Sequence, residues 1–150
     1  MAVRDMEQHV PPTWRQPRHP GRPRLLIEDP NAALAGSEFR LFEEAGFEVA
    51  LCAGPDADHP CPLVEHGVCD LARDADVVLV GLMEPEDQTE VAAAIRHHVP
   101  DTPVVFEVRR SRGPCTEVPD GCQTLMFPSS VNGQIDVLWK ALSARRAHAH

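Results

Sequence analysis

The sequence contains no long apolar run. Its longest uninterrupted apolar stretches reach about five residues, against the ~20 needed to span a bilayer, and Met1 to Val10 lacks the apolar core of a secretory signal. A cytoplasmic, soluble chain without membrane contact is therefore expected. An excess of positive charge is missing too. Residues 1–24 carry five Arg against Asp5 and Glu7, whereas residues 25–150 carry 9 basic and 21 acidic side chains, a balance of −12. A folded part this acidic has no surplus of Lys and Arg to displace counterions from a phosphate backbone, so direct DNA binding by it is not expected. No Gly-rich phosphate loop, nucleophile elbow or His-Glu-x-x-His pattern occurs. Lys is nearly absent, Arg outnumbering it thirteen to one. With abundant Ala, that bias fits a GC-rich bacterial genome.

Cysteine is present, but closely spaced cysteine pairs are not. Cys52, Cys61, Cys69, Cys115 and Cys122 are odd in number, which fits a closed disulfide framework poorly, and in a reducing cytoplasm they are expected as thiols. Cys52, Cys61 and Cys69, with His59 and His66 between them, could furnish ligands for zinc or, with less support, an iron–sulfur cluster, or could form a redox-active pair. No two lie within the two to four residues usual in a zinc knuckle, so ordinary buried or surface cysteines are the leading reading. Cys115 and Cys122 flank an irregular segment and could close it upon oxidation. His97 and His98 sit where a helix end is expected, and His148 and His150 lie in the tail.

What the chain does have is an alternation of short apolar runs and amphipathic stretches. Residues 1–24, with Pro11, Pro12, Pro17, Pro20 and Pro23, read as a flexible arm. Its Arg15, Arg18, Arg22 and Arg24 beside Trp14 could touch an anionic partner. Strands are expected at Leu25–Ile27, Phe47–Cys52, Val77–Val80, Pro103–Val108 and Leu125–Phe127. Between them, a first helix carries Leu34, Leu41, Phe42 and Ala45 on one face and stops near Gly46, with Pro30 and Asn31 as its turn and cap. A short helix around Leu63–Arg73 follows. Next comes a helix from Glu86 to Pro100 with Val91, Ala94, Ile95 and Val99 as its apolar stripe. A closing helix carries Val131, Ile135, Leu138, Trp139 and Leu142. Arg109–Gly121 is interrupted by Gly113, Pro114 and Pro119 and reads mostly as loop.

Five strand–helix units imply a parallel sheet covered on both faces, a flavodoxin-like α/β/α sandwich with strand order 2-1-3-4-5, spanning residues 25–146 and followed by a frayed tail at 147–150. Sites in such sheets lie beyond the carboxyl ends of the strands: Glu28, Asp29, Gly81 to Pro85, Val108 to Arg110 and Pro128.

At these positions the chain resembles the receiver domains of bacterial two-component response regulators. Receivers commonly read Pro-Asp-Val-Val-Leu-Leu-Asp-Leu-Met-Met-Pro at the third strand. Here the stretch is Ala75-Asp-Val-Val-Leu-Val-Gly-Leu-Met-Glu-Pro85. Glu28-Asp29 resembles the acidic pair that helps hold magnesium, and Glu44-Ala-Gly-Phe-Glu-Val49 resembles the usual exit from the first helix. The resemblance puts the phosphate-accepting aspartate at Gly81, the switch Thr or Ser near Val108, and the Lys-Pro pair at Phe127-Pro128. Gly81 offers neither oxygen nor charge for phosphoryl transfer, so no phosphorylation and weak magnesium binding are expected. Glu84, in the loop, and Glu107, inside the fourth strand, are not expected at the nucleophile position.

The leading expectation is a stand-alone pseudo-receiver, not an enzyme and without a resident cofactor, acting through contacts with a protein such as a kinase or transcription regulator. The resemblance puts its signalling face at Cys115 to Phe127 with the outer side of Ser129 to Arg146. A metal- or redox-responsive sensor using Cys52, Cys61 and Cys69 is the alternative. A third reading is a small-ligand domain in which a ligand approaches the backbone at Gly81.

Overall fold

The computed structural model describes residues 13–30, 32–109 and 117–148. Five parallel strands form one sheet in the order β2-β1-β3-β4-β5, which is the expected architecture. They are β1 (Arg24–Glu28), β2 (Glu48–Cys52), β3 (Val77–Val80), β4 (Val104–Arg109) and β5 (Gln123–Phe127). Five helices connect or follow them: α1 (Ala32–Glu44), α2 (Pro62–His66), α3 (Asp70–Arg73), α4 (Pro85–His98) and α5 (Val131–His148).

Side-chain alternation along each strand sorts the core into two layers. Leu25, Ile27, Val49, Leu51, Val77, Leu79 and Val105 point to one face, where Phe42 of α1 and Leu138 and Leu142 of α5 cover them. Leu26, Ala50, Val78, Val80, Val104 and Phe106 point to the other, under Leu63, Ala72, Val91 and Ile95 of α2, α3 and α4. The central strands β1 and β3 are buried along their whole length. β5, at the edge, leaves Met126 and Phe127 exposed.

Local signals place most boundaries. Gly46 adopts φ 105° and lets the Phe47 N–H return to the Phe42 carbonyl at 3.1 Å, ending α1. Pro85, which no central strand would accept, stands at the start of α4, where its missing N–H costs nothing. The single short helix expected near Leu63–Arg73 is two helices, because the chain turns left-handed at Gly67. Leu41, expected on the apolar face of α1, is 47% exposed, while its neighbour Phe42 is fully buried. Asn31, Arg110, Cys115 and the Leu34 side chain lie outside the described residues.

Residues 13–23, part of the segment expected as an arm, lie against the domain as a strap. The Trp14 indole N–H donates to the Leu71 carbonyl at 3.1 Å, and the Arg15 N–H donates to Glu48 at 2.9 Å. Arg18 pairs with Asp76, and Arg22 donates to the carbonyls of Glu43 and Phe47. Arg24 belongs to β1, not to the arm. It is 3% exposed, pairs with Glu48 at 3.0 Å and lies 5.4 Å from the centre of the Trp14 ring. These contacts substitute for the apolar area that the segment lacks, since a buried guanidinium needs its partners. Replacing Trp14 with Ala removes both the indole hydrogen bond and the aromatic cover over Arg24. A loss of about 1–2 kcal/mol is expected, read as a lower urea midpoint with an unchanged slope. At the other end, α5 continues through His148, into the segment expected as a tail.

Candidate functional site

The residues singled out in the sequence converge on the carboxyl edge of the sheet but fall into two groups there. Alternation decides the grouping. Glu28 follows the phase of Leu26, and Cys52 that of Ala50, so both face the α2–α4 side. Gly81 follows Leu79 and Glu107 follows Val105, so both face α5.

On the first side, Glu28 is 6% exposed. Burial pushes its carboxyl up to about 7, against a hydrogen bond with the Cys52 thiol that pulls it down. The same burial, the Glu28 charge and nearby Cys69 raise the Cys52 thiol to about 12. Cys61 is also raised, chiefly by burial. Cys52, Cys61 and Cys69 all pack partly buried against the core layer beneath α2 to α4. Thiols held protonated by burial are poor nucleophiles and poor metal ligands. Among the described residues no group of three or more His, Cys, Asp or Glu side chains is placed to hold a metal ion. Cys52, Cys61, Cys69 and Cys122 are free thiols. Asp29, half-buried, donates its N–H to the Cys52 carbonyl at 2.9 Å. Its charge adds to burial in raising Glu38 of α1.

On the second side stands an arrangement that the sequence reading set aside. Gly81 is buried, and its N–H donates to the Glu28 carbonyl at 2.8 Å. A Cβ at this position would lie 3.0 Å from Oε2 of Glu107, 3.2 Å from its Cδ and 3.5 Å from Oε1. Glu107 is 7% exposed, so its carboxyl group fills the space directly over Gly81. Gln134 of α5 donates to Glu107 Oε1 at 3.3 Å and to the Ser129 hydroxyl at 3.3 Å. From the opposite face, buried Gln88 of α4 donates to the Glu107 carbonyl at 2.6 Å. Glu107, Gln88 and Gln134 thus lock the ends of β4, α4 and α5 together. Sequence reasoning set Glu107 aside as a strand residue and missed Gln88 and Gln134, although a lone acid in the apolar run Val104-Val-Phe-Glu-Val108 was a usable signal.

Val108, Phe127 and Pro128 carry no side-chain oxygen. Val108 is half-buried, and Phe127, 40% exposed at the end of β5, precedes a cis Pro128. Glu84 is exposed at the start of α4 and makes no side-chain cap. Two of the carboxyl groups near the strand ends are already engaged, and Asp29 beside them is half-buried. Glu28 is buried, its carboxyl is raised to about 7 and it is engaged with a thiol. The Glu107 carboxylate is bound by Gln134, and hard cations need several charged or water-accessible oxygens.

Comparison with known proteins places the architecture. No protein-family model and no curated protein matches the chain. Among solved structures, the receiver domain protein (CheY-like) of Methanospirillum hungatei is similar with a TM-score of 0.61 at 16% identity, over 85% of this chain and 98% of that one. The receiver protein of Sinorhizobium medicae gives a TM-score of 0.56 at 22% identity, over 84% and 98%. The N-terminal domain of a response regulator/sensory box/GGDEF protein of Carboxydothermus hydrogenoformans gives 0.59 at 20%, over 85% and 99%. The chain therefore has the fold of the receiver domains of two-component signalling.

Proposed function

We propose that this protein is a cytoplasmic pseudo-receiver: a signalling domain that is not phosphorylated at the receiver's usual position and acts through protein contacts. The observation that carries this reading is the Glu107 carboxylate over Gly81. Phosphoryl transfer needs an oxygen nucleophile with room for an in-line approach and a cation to offset charge. Gly81 supplies no oxygen, and the adjoining volume is taken by a carboxylate that would repel an incoming phosphate. The clamp of Glu107 by Gln134 and Gln88 holds the ends of β4, α4 and α5 in one arrangement without a modification. No described helix is long and apolar enough to cross a membrane. The partner in this reading is a kinase or a transcription regulator.

Incubation with acetyl phosphate and magnesium, followed by intact mass measurement, is expected to leave the mass unchanged. A stable phosphoryl adduct mapped to Glu28, Asp29, Glu84 or Glu107 overturns the proposal. The sensor alternative has its own test. Metal analysis and thiol counting of reduced protein are expected to find no stoichiometric zinc and fully titratable thiols, those of Cys52 and Cys61 reacting fast only after denaturation.

A further inference from the structure

At the amino edge of the sheet, opposite Gly81 and Glu107, the strap and α5 enclose a cleft of about 370 Å³ lined by Arg18, His19, Arg22, Asp76, Leu142 and Arg145. Three guanidinium groups face one carboxylate there, a balance of +2 with His neutral, in a chain whose net charge is −9. Asp76 organises two of them, Arg18 and Arg145. Its carboxylate, 19% exposed, accepts from the Arg24 N–H at 2.8 Å, pairs with Arg18 and lies 3.6 Å from Arg145 Nη1, which also donates to the Asp76 carbonyl at 3.1 Å. Arg22 is held by the carbonyls of Glu43 and Phe47.

Each guanidinium offers five N–H donors, and these contacts engage one terminal nitrogen of each. We propose that this cleft is a binding site for a small phosphate-bearing anion, of the phosphomonoester or diphosphate class. Guanidinium forks match phosphate oxygens two at a time, and a multiply charged anion supplies the negative charge that Asp76 alone does not. The size of the cleft and the −12 balance of residues 25–150 disfavour a polyanionic polymer, which would have to pass over the acidic remainder of the surface. A second cleft of about 650 Å³ shares Arg18, His19 and Arg22 and adds Phe39, Phe47 and Val49 beside Arg15, Glu43 and Glu48, of which Glu48 is already paired with Arg24. It offers an apolar wall to whatever group the phosphate carries.

Calorimetric titration of the full chain with inorganic pyrophosphate at physiological ionic strength tests the assignment. Saturable one-site binding is expected, weakened at least about tenfold in Arg18→Gln and in Arg145→Gln. It should be unchanged in Arg73→Gln, whose exposed side chain pairs with Asp70 and Asp74 elsewhere. Because the first two variants also lose contacts to Asp76, a second measurement needs no mutation. Pyrophosphate should raise the thermal midpoint of the unaltered protein in a concentration-dependent way that sodium chloride of equal ionic strength does not. Absence of that shift, an equal loss of binding in Arg73→Gln, or stronger competition by single-stranded DNA than by pyrophosphate overturns the proposal.

Discussion

A Gly81→Asp variant, which places an acidic residue at the end of β3, is expected to lose about 2–4 kcal/mol of stability at pH 8. The new Cβ would meet the Glu107 carboxyl group at 3.0–3.5 Å, and its carboxylate would add a like charge in a space already closed to water. Glu107 cannot retreat freely, since Gln134 binds its Oε1 and Gln88 binds its main-chain carbonyl. Removing the Glu107 carboxyl group should therefore recover much of the loss. The double variant Gly81→Asp/Glu107→Ala should recover more than half of it at pH 8. Urea unfolding of the four proteins in a double-mutant cycle provides the measurement. Additive effects, with no coupling between the two positions, would show that Glu107 does not occupy the space over Gly81.

The second large effect belongs to Glu28. Its carboxyl is raised from 4.5 to about 7 in the folded chain, chiefly by burial. The folded state therefore binds the proton more tightly than the unfolded state does. The contribution of this group is most favourable below pH 4.5 and is lost as the pH rises through about 7. A difference of this size corresponds to roughly 3 kcal/mol. Glu28→Gln keeps the shape and a hydrogen-bonding group for Cys52 while removing the ionisation. It should stabilise the protein by up to about 3 kcal/mol at pH 8 and change little at pH 4. Unfolding curves of both proteins between pH 4 and 8 decide the matter. If the Glu28→Gln protein proves less stable than the parent at pH 8, the Glu28 carboxylate is stabilised in the fold and the expectation fails.

Together these two expectations describe two buried acids at the carboxyl edge of the sheet. One, Glu28, faces the cysteine-bearing side, where burial favours its protonated form. The other, Glu107 of β4, fills the place beside the end of β3. The buried acid on each side restrains a different set of elements, β1 and β2 in one case, and β4, α4 and α5 in the other.

The sheet itself was written in short-range patterns. Val77–Val80 and Leu25–Ile27 are apolar because both faces of a central parallel strand are covered, and the intervening helices carry periodic apolar stripes, so strand number, direction and order followed from local sequence and chain connectivity. That Gly81 closes the third strand was equally legible, because the apolar run Val77–Val80 stops there. By contrast, the contacts of the strap are not written in its composition. Trp14, Arg18 and Arg22 are held by partners 21 to 58 residues away along the chain, and no local pattern encodes a hydrogen bond to a carbonyl of another element. Leu41 illustrates the same limit on α1, where the apolar stripe named both Leu41 and Phe42 and packing buried only Phe42.

Sequence alone thus determined the βα order, the parallel sheet and the glycine that ends the third strand, because each depends on residue type and on spacing within one or two turns. Tertiary structure alone decided that the Glu107 carboxyl lies over Gly81, that Glu28 faces Cys52 instead, and that Asp76 gathers arginines from both ends of the chain. Strand phase, helix docking and the burial that shifts a carboxyl are properties of the assembled layers, and side chains distant in sequence acquire them only when those layers close.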